Sequence, residues 1–161
     1  MDRLSKFRGV AVGGSFDPFH KGHRELLAKA FNIGEKVFVG IVSDNFSKRL
    51  GKDLEDTYDG RVRNIKAFID ENFPESKYHI GALDDYVGPI VITDSVDAIV
   101  GTEETEGNIE TVERLRAAKR LRPLSIIRIP YVLDDRGQRI SSSRIKRLEI
   151  DEGGSVIENQ Q

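Results

Sequence analysis

Five short apolar runs, separated by amphipathic segments of helix length, constrain this chain more than any other feature. The runs are "GVAVG" (Gly9–Gly13), "KVFVGIV" (Lys36–Val42), "YHIGAL" (Tyr78–Leu83), "DAIVG" (Asp97–Gly101) and "LSIIRIPYV" (Leu124–Val132). Turn-forming residues bound them, and strands of this length are favoured over helices. Between them, "GHRELLAKAFNIG" sets Leu26, Leu27, Ala30 and Phe31 on one helical face and ends at Gly34. "RVRNIKAFIDENF" is amphipathic and stops before Pro74, and "NIETVERLRAAKRLR" (Asn108–Arg122) ends before Pro123. "SSSRIKRLEI" opens a final helix. Gly and Pro mark the stops because neither continues a helix well.

Strands alternating with helices predict an α/β fold. The expected form is one doubly wound, Rossmann-like domain, with a five-stranded, mostly parallel sheet and helices on both faces. The 161 residues, 38% of them apolar, suit one such domain. Ligands on open parallel sheets bind beyond the C-terminal strand ends, where the strand order switches. The segments to inspect are therefore those after the first, second and fourth strands.

Composition narrows the functional classes. A net charge of −2 argues against a nucleic-acid partner, although basic residues gather locally at "SKRLGK", "GRVRNIK" and from "RGQR" through "SSSRIKR". With no cysteine, disulfides and thiolate chemistry are excluded. The first residues, "MDRLSKFRG", lack an apolar signal core, and no apolar run reaches membrane-spanning length. A cytoplasmic protein without a membrane partner is expected.

The stretch after the first strand, "GGSFDPFHKGH", holds His20 and His23, two of only three histidines. Gly13 and Gly14 allow close backbone approach and unusual φ angles. The helix start near His20–His23 offers unpaired N–H groups that suit phosphate. Neither G-x-G-x-x-G nor G-x-x-x-x-G-K-(S/T) occurs, so the histidines are the candidates for gripping an anion. Three readings stand at this point: a metal pair, ordinary capping or surface histidines, and anion recognition.

These residues also carry a family resemblance. "GGSFDPFHKGH" resembles the G-(S/T)-F-D-x-x-(H/T)-x-G-H signature of the superfamily of adenylyl- and cytidylyltransferases. "RISSSRIK" (Arg139–Lys146) resembles its second signature, I-S-S-(S/T)-x-(I/V)-(K/R). With "GIVSD", "YDGRVRNIKAFI" and "VGTEET", the resemblance covers nearly residues 8–150 and is to phosphopantetheine adenylyltransferases of the archaeal and eukaryotic type. The R-T-E-G-I-S-T-T motif usual in cytidylyltransferases of this fold is missing. Ser15 stands where that branch commonly has Thr, and Thr102 where it has Ser, so both hydroxyls survive.

The resemblance implies one nucleotidyltransferase domain at 1–150, and the polar, Gly-rich composition of 151–161 predicts a frayed tail. The resemblance also implies transfer of AMP from ATP to 4′-phosphopantetheine, giving dephospho-coenzyme A and pyrophosphate. His23 would stabilise the transition state at the α-phosphate and His20 would contact the ATP phosphates. Lys48 would neutralise the attacking phosphate, with Lys52 or Arg49 as substitutes. Gly14, Ser15, Phe16, His20, His23, Arg61 (or Arg63), Ser141, Ser142, Ser143 and Arg144 would line the nucleotide site. By its residue type, Asp17 is expected to shape the loop by accepting from backbone N–H groups. Magnesium is expected with ATP, with no protein ligand. Two alternatives stay open: an acceptor such as nicotinamide mononucleotide, flavin mononucleotide or glycerol phosphate, and a non-catalytic nucleotide-binding relative.

Overall fold

Among the described residues, the five strands of the sheet all pair in parallel, and the strand order runs β3-β2-β1-β4-β5. The strands are β1 (Phe7–Gly14), β2 (Gly34–Val42), β3 (Lys77–Leu83), β4 (Ala98–Gly101) and β5 (Ser125–Arg128). The helices are α1 (Lys21–Ile33), α2 (Asp44–Arg49), α3 (Tyr58–Asn72) and α4 (Ile109–Ala118), with a 3₁₀ turn at Pro89–Ile92. The computed structural model describes residues 7–102, 109–141, 145 and 150–155.

Alternation at period two sends successive strand residues to opposite faces. Val10, Val12, Val37, Val39, Ile41, Ala98 and Val100 pack on one face with Leu27, Ala30 and Phe31 of α1 and Ile65 and Ile69 of α3. Ala11, Phe38 and Ile99 pack on the other with Val112 of α4 and Leu124. Both faces are covered, which is why the strands are apolar runs rather than half-polar ones. Each large side chain fully buried here stabilises the fold by about 1.5–3 kcal/mol.

The element boundaries differ from expectation for physical reasons. α3 starts a turn early because Thr57 Oγ1 accepts from Gly60 N at 3.2 Å and caps it. α4 ends at Ala118 rather than Arg122, because Arg120 adopts φ 60 and Leu121 N closes onto Arg116 O at 2.9 Å. β5 ends at Arg128, the residue paired with the last residue of β4, Gly101. The short helix α2 lies in what the sequence presents as a loop, capped by Ser43 Oγ accepting from Phe46 N at 3.0 Å. The final helix falls outside the described residues except for Ile145, whose N–H donates to Ser141 O at 3.2 Å.

The expected frayed tail also needs correction where it is described. Residues 151–155 form a turn in which Asp151 Oδ1 accepts from Gly153 N and Ser155 N, at 3.0 and 2.8 Å. Its neighbour Ile150 is fully buried. The turn is polar in composition but held by its own Asp and by the elements it touches.

Candidate active site

Strand order reverses at β1: β2 and β3 lie on one side of it, β4 and β5 on the other. A cavity of about 990 Å³ opens beyond the C-terminal ends of β1, β2 and β4, with Gly14, His23, Gly40 and Thr102 among its lining residues. The cavity is thus at the switch point that the strand pattern predicts.

Gly13 and Gly14 are extended residues at the end of β1, paired with Gly40 and Ile41. The left-handed residue of the loop is Phe16, at φ 55, with its ring buried. That conformation is uncommon for a bulky side chain, so packing of the ring must hold it. Asp17, also buried, accepts from Asp56 N at 2.9 Å and ties the loop to the segment before α3. Asp17 therefore shapes the loop, as its residue type suggests.

His20 is the N-cap of α1. Its Nδ1 accepts from Gly22 N at 3.0 Å, while His23 Nδ1 accepts from His20 N at 3.2 Å. The rings stack at 3.7 Å between centroids, 20° apart in plane. Gly22 makes this possible: a Cβ there would come within 2.8 Å of the His20 ring. Lys21 N donates to Glu152 O at 2.8 Å. The open helix N-terminus expected from the sequence is therefore a closed one, with its first N–H groups satisfied from within the protein.

With Nδ1 accepting on both rings, the neutral tautomer carries its proton on Nε2, making each ring a donor there. Desolvation lowers His20 to a pKa of about 4, helped by the charges of Arg24 and Arg139. Desolvation also lowers His23 to about 3, with His20 and Arg24 adding to it and the Pro18 carbonyl opposing. Both rings are neutral near pH 7, so they bring hydrogen bonds and not charge.

The fixed charge comes from elsewhere. Among the described residues, the Lys and Arg side chains lining the cavity are Lys52 and Arg139. Lys52 Nζ lies 3.4 Å from Ser15 Oγ. Lys48 is exposed on α2 and does not line the cavity, and Arg49 donates to Asp84 O. The expected lysine, Lys48, thus lies outside the cavity lining, while Lys52, after the bend at Gly51 (φ 71), lies within it.

Arg61 is likewise corrected. It is fully buried; Nη1 donates to Val42 O at 2.6 Å and Ser15 O at 3.1 Å, and Nη2 to Asp44 Oδ1 at 2.9 Å. It braces the loop from below and does not line the cavity, while Arg63 is exposed on α3. Ser15 and Ser141 line the cavity, and Phe16 packs beneath at 5.0 Å from His23. Ser142, Ser143 and Arg144 lie outside the described residues. Among the described residues, no three His, Asp or Glu side chains gather as a metal-ligand set.

The sequence matches the cytidylyltransferase-like family over residues 11–148, most of the chain and all of this site. The chain belongs to that family. Within it, the chain is 40% identical to the phosphopantetheine adenylyltransferase of Methanopyrus kandleri, across 95% of this chain and 97% of the relative. It is 41% identical to the enzyme of the same name from Methanothermobacter thermautotrophicus, across 94% and 91%. Among solved structures, a protein of unknown function from Archaeoglobus fulgidus superposes with a TM-score of 0.65 at 24% identity, covering 75% of this chain and 88% of that one. A lipopolysaccharide core biosynthesis protein from Thermoplasma volcanium superposes at 0.59 and 22%, over 76% and 95%. These two show the cytidylyltransferase-like chain's fold alone.

Sequence reasoning passed over Arg139 as a site residue, although it opens the second signature. No motif spacing announces it, because only the folded hairpin turns it toward the cavity.

Proposed function

We propose that this chain is a phosphopantetheine adenylyltransferase, moving AMP from ATP to 4′-phosphopantetheine with release of pyrophosphate. The observation that carries the reading is the stacked imidazole pair of His20 and His23 in a switch-point cavity that Lys52 and Arg139 also line. The name shared by relatives at up to 41% identity supports the same substrates. The acceptor phosphate is already an anion at pH 7, so its attack on the α-phosphorus requires no general base. The site must instead align two anions and bind the charge that builds as the bond to pyrophosphate breaks.

His23 Nε2–H stabilises the α-phosphate in the transition state, and His20 Nε2–H meets the ATP phosphates. Lys52 offsets the charge of the incoming phosphate. Ser141 adds a hydroxyl near the ATP phosphates. Magnesium carried by ATP would be held mainly by phosphate oxygens and water, where it would offset the charge of the triphosphate.

A pyrophosphate-release assay tests the reading. ATP with 4′-phosphopantetheine is expected to give pyrophosphate and dephospho-coenzyme A. Release only with CTP, or only with nicotinamide mononucleotide, flavin mononucleotide or glycerol phosphate, overturns it. ATP binding without release under any acceptor makes the chain a nucleotide-binding relative instead.

A further inference from the structure

Arg139 sits on a hairpin built to hold it still. Buried Asp134 organises the tip: its Oδ1 accepts from Arg136 N and Gln138 N, both at 2.9 Å, and Gly137 supplies the left-handed turn at φ 78. Ile140 N donates to Val132 O at 2.9 Å, and Leu133 faces Arg139 across an antiparallel bridge. The backbone on either side of Arg139 is therefore fixed. Its guanidinium carbon lies 4.1 Å from the centroid of the Tyr131 ring, and both side chains line the cavity. A ring at this distance attracts the guanidinium and limits its freedom before any ligand arrives.

Placement separates the two cavity cations. Lys52 is beside Ser15, at the end of β1, while Arg139 is on the hairpin after β5, over the Tyr131 ring. Resting on the adenylyl-transfer reading, we propose that Arg139, held over the Tyr131 ring, contacts the β- and γ-phosphates of ATP and retains them as pyrophosphate departs. A P–O bond forms from the acceptor phosphate to the α-phosphorus while the bond from that phosphorus to the β-bridging oxygen breaks. The electron pair leaves on pyrophosphate, and Arg139 donates hydrogen bonds to its oxygens without giving up a proton. A guanidinium suits this task because it stays charged where the neutral histidines do not.

The test compares wild type with Arg139→Ala, Arg139→Lys and Tyr131→Leu in both reaction directions. In Arg139→Ala, KM for ATP and, in reverse, KM for pyrophosphate are expected to rise about ten- to a hundredfold, the loss of charge-assisted bonds. KM for 4′-phosphopantetheine and for dephospho-coenzyme A should hold steady. Arg139→Lys recovers part of the loss, and Tyr131→Leu shifts the same two constants in the same direction. Lys52→Ala should show the opposite pattern. A folded Arg139→Ala with unchanged constants for ATP and pyrophosphate overturns the proposal, as do equal changes in all four constants. If wild type releases no pyrophosphate, the functional reading fails; pyrophosphate titrated calorimetrically against wild type and Arg139→Ala still decides the role of the arginine, with equal affinities overturning it.

Discussion

His20 and His23 enter the free protein as neutral rings, one capping α1 and the other closing the cap from the third helical position. Their lowered pKa values mean that the unfolded chain binds more protons than the native one below about pH 6.5. This contribution to stability is complete above that pH and falls away as the pH drops toward about 4 for His20 and about 3 for His23. NMR should show two of the three histidine ring signals keeping their neutral positions from pH 8 down to about 5. Midpoints near 6.5 for both rings sink the assignment. His23→Ala removes the donor proposed for the reacting phosphate, and turnover is expected to fall about 10²–10³-fold with the circular dichroism spectrum retained. Turnover close to wild type removes His23 from the chemistry. These two residues were legible from spacing and chemistry, but their charge state was not, since burial sets it.

Arg61 shows what the elements add. Its guanidinium gathers the end of β2, the loop after β1 and Asp44 of α2 around one buried group, while Asp44 also accepts from Tyr58 N at the start of α3. Arg61→Met is expected to lower stability by about 2–4 kcal/mol, since buried carbonyls lose their donor. Urea unfolding measures this, and a loss too small to detect shows that the brace is dispensable. Arg61→Lys should recover little, because one ammonium cannot reproduce the fork. The Tyr58 hydrogen bond, with Arg61, holds the Asp44 carboxyl below its ordinary range. This support is present above the usual carboxylate pKa and is lost as acid titrates the folded group. From the sequence, Arg61 and a surface arginine look alike. Only the depth of α3 against the sheet distinguishes them.

The whole molecule depends on a segment that the sequence makes look dispensable. The turn at 151–155 receives Lys21 N from α1 and, through Gly154 O, Asp135 N from the hairpin that carries Arg139, at 2.8 and 3.1 Å. It therefore joins the two halves of the cavity wall. Gly154 holds φ 86, and a Cβ there would come within 2.5 Å of Ile140 Cδ1. Gly154→Ala should both lower the unfolding midpoint and raise KM for ATP, since the hairpin moves with the turn. A variant with wild-type values for both would show that the turn is no strap. Ile150→Ala should cost about 2–5 kcal/mol in urea unfolding, the range for emptying an aliphatic core site. No helix among the described residues is long and apolar enough to cross a membrane.

The sequence by itself determined the strand–helix alternation, the switch-point location and the histidine pair, because periodicity and residue chemistry are local properties. It also carried the family through two signatures far apart in the chain. Tertiary structure decided which charges count. Lys52 lines the cavity and Lys48 does not, because the chain bends at Gly51 after α2. Arg61 becomes a brace because three elements converge on it, and Arg139 faces the cavity because Asp134 folds a hairpin beneath it. The helix N-terminus closed for the same reason: its partners are the neighbouring ring and a carbonyl more than a hundred residues away.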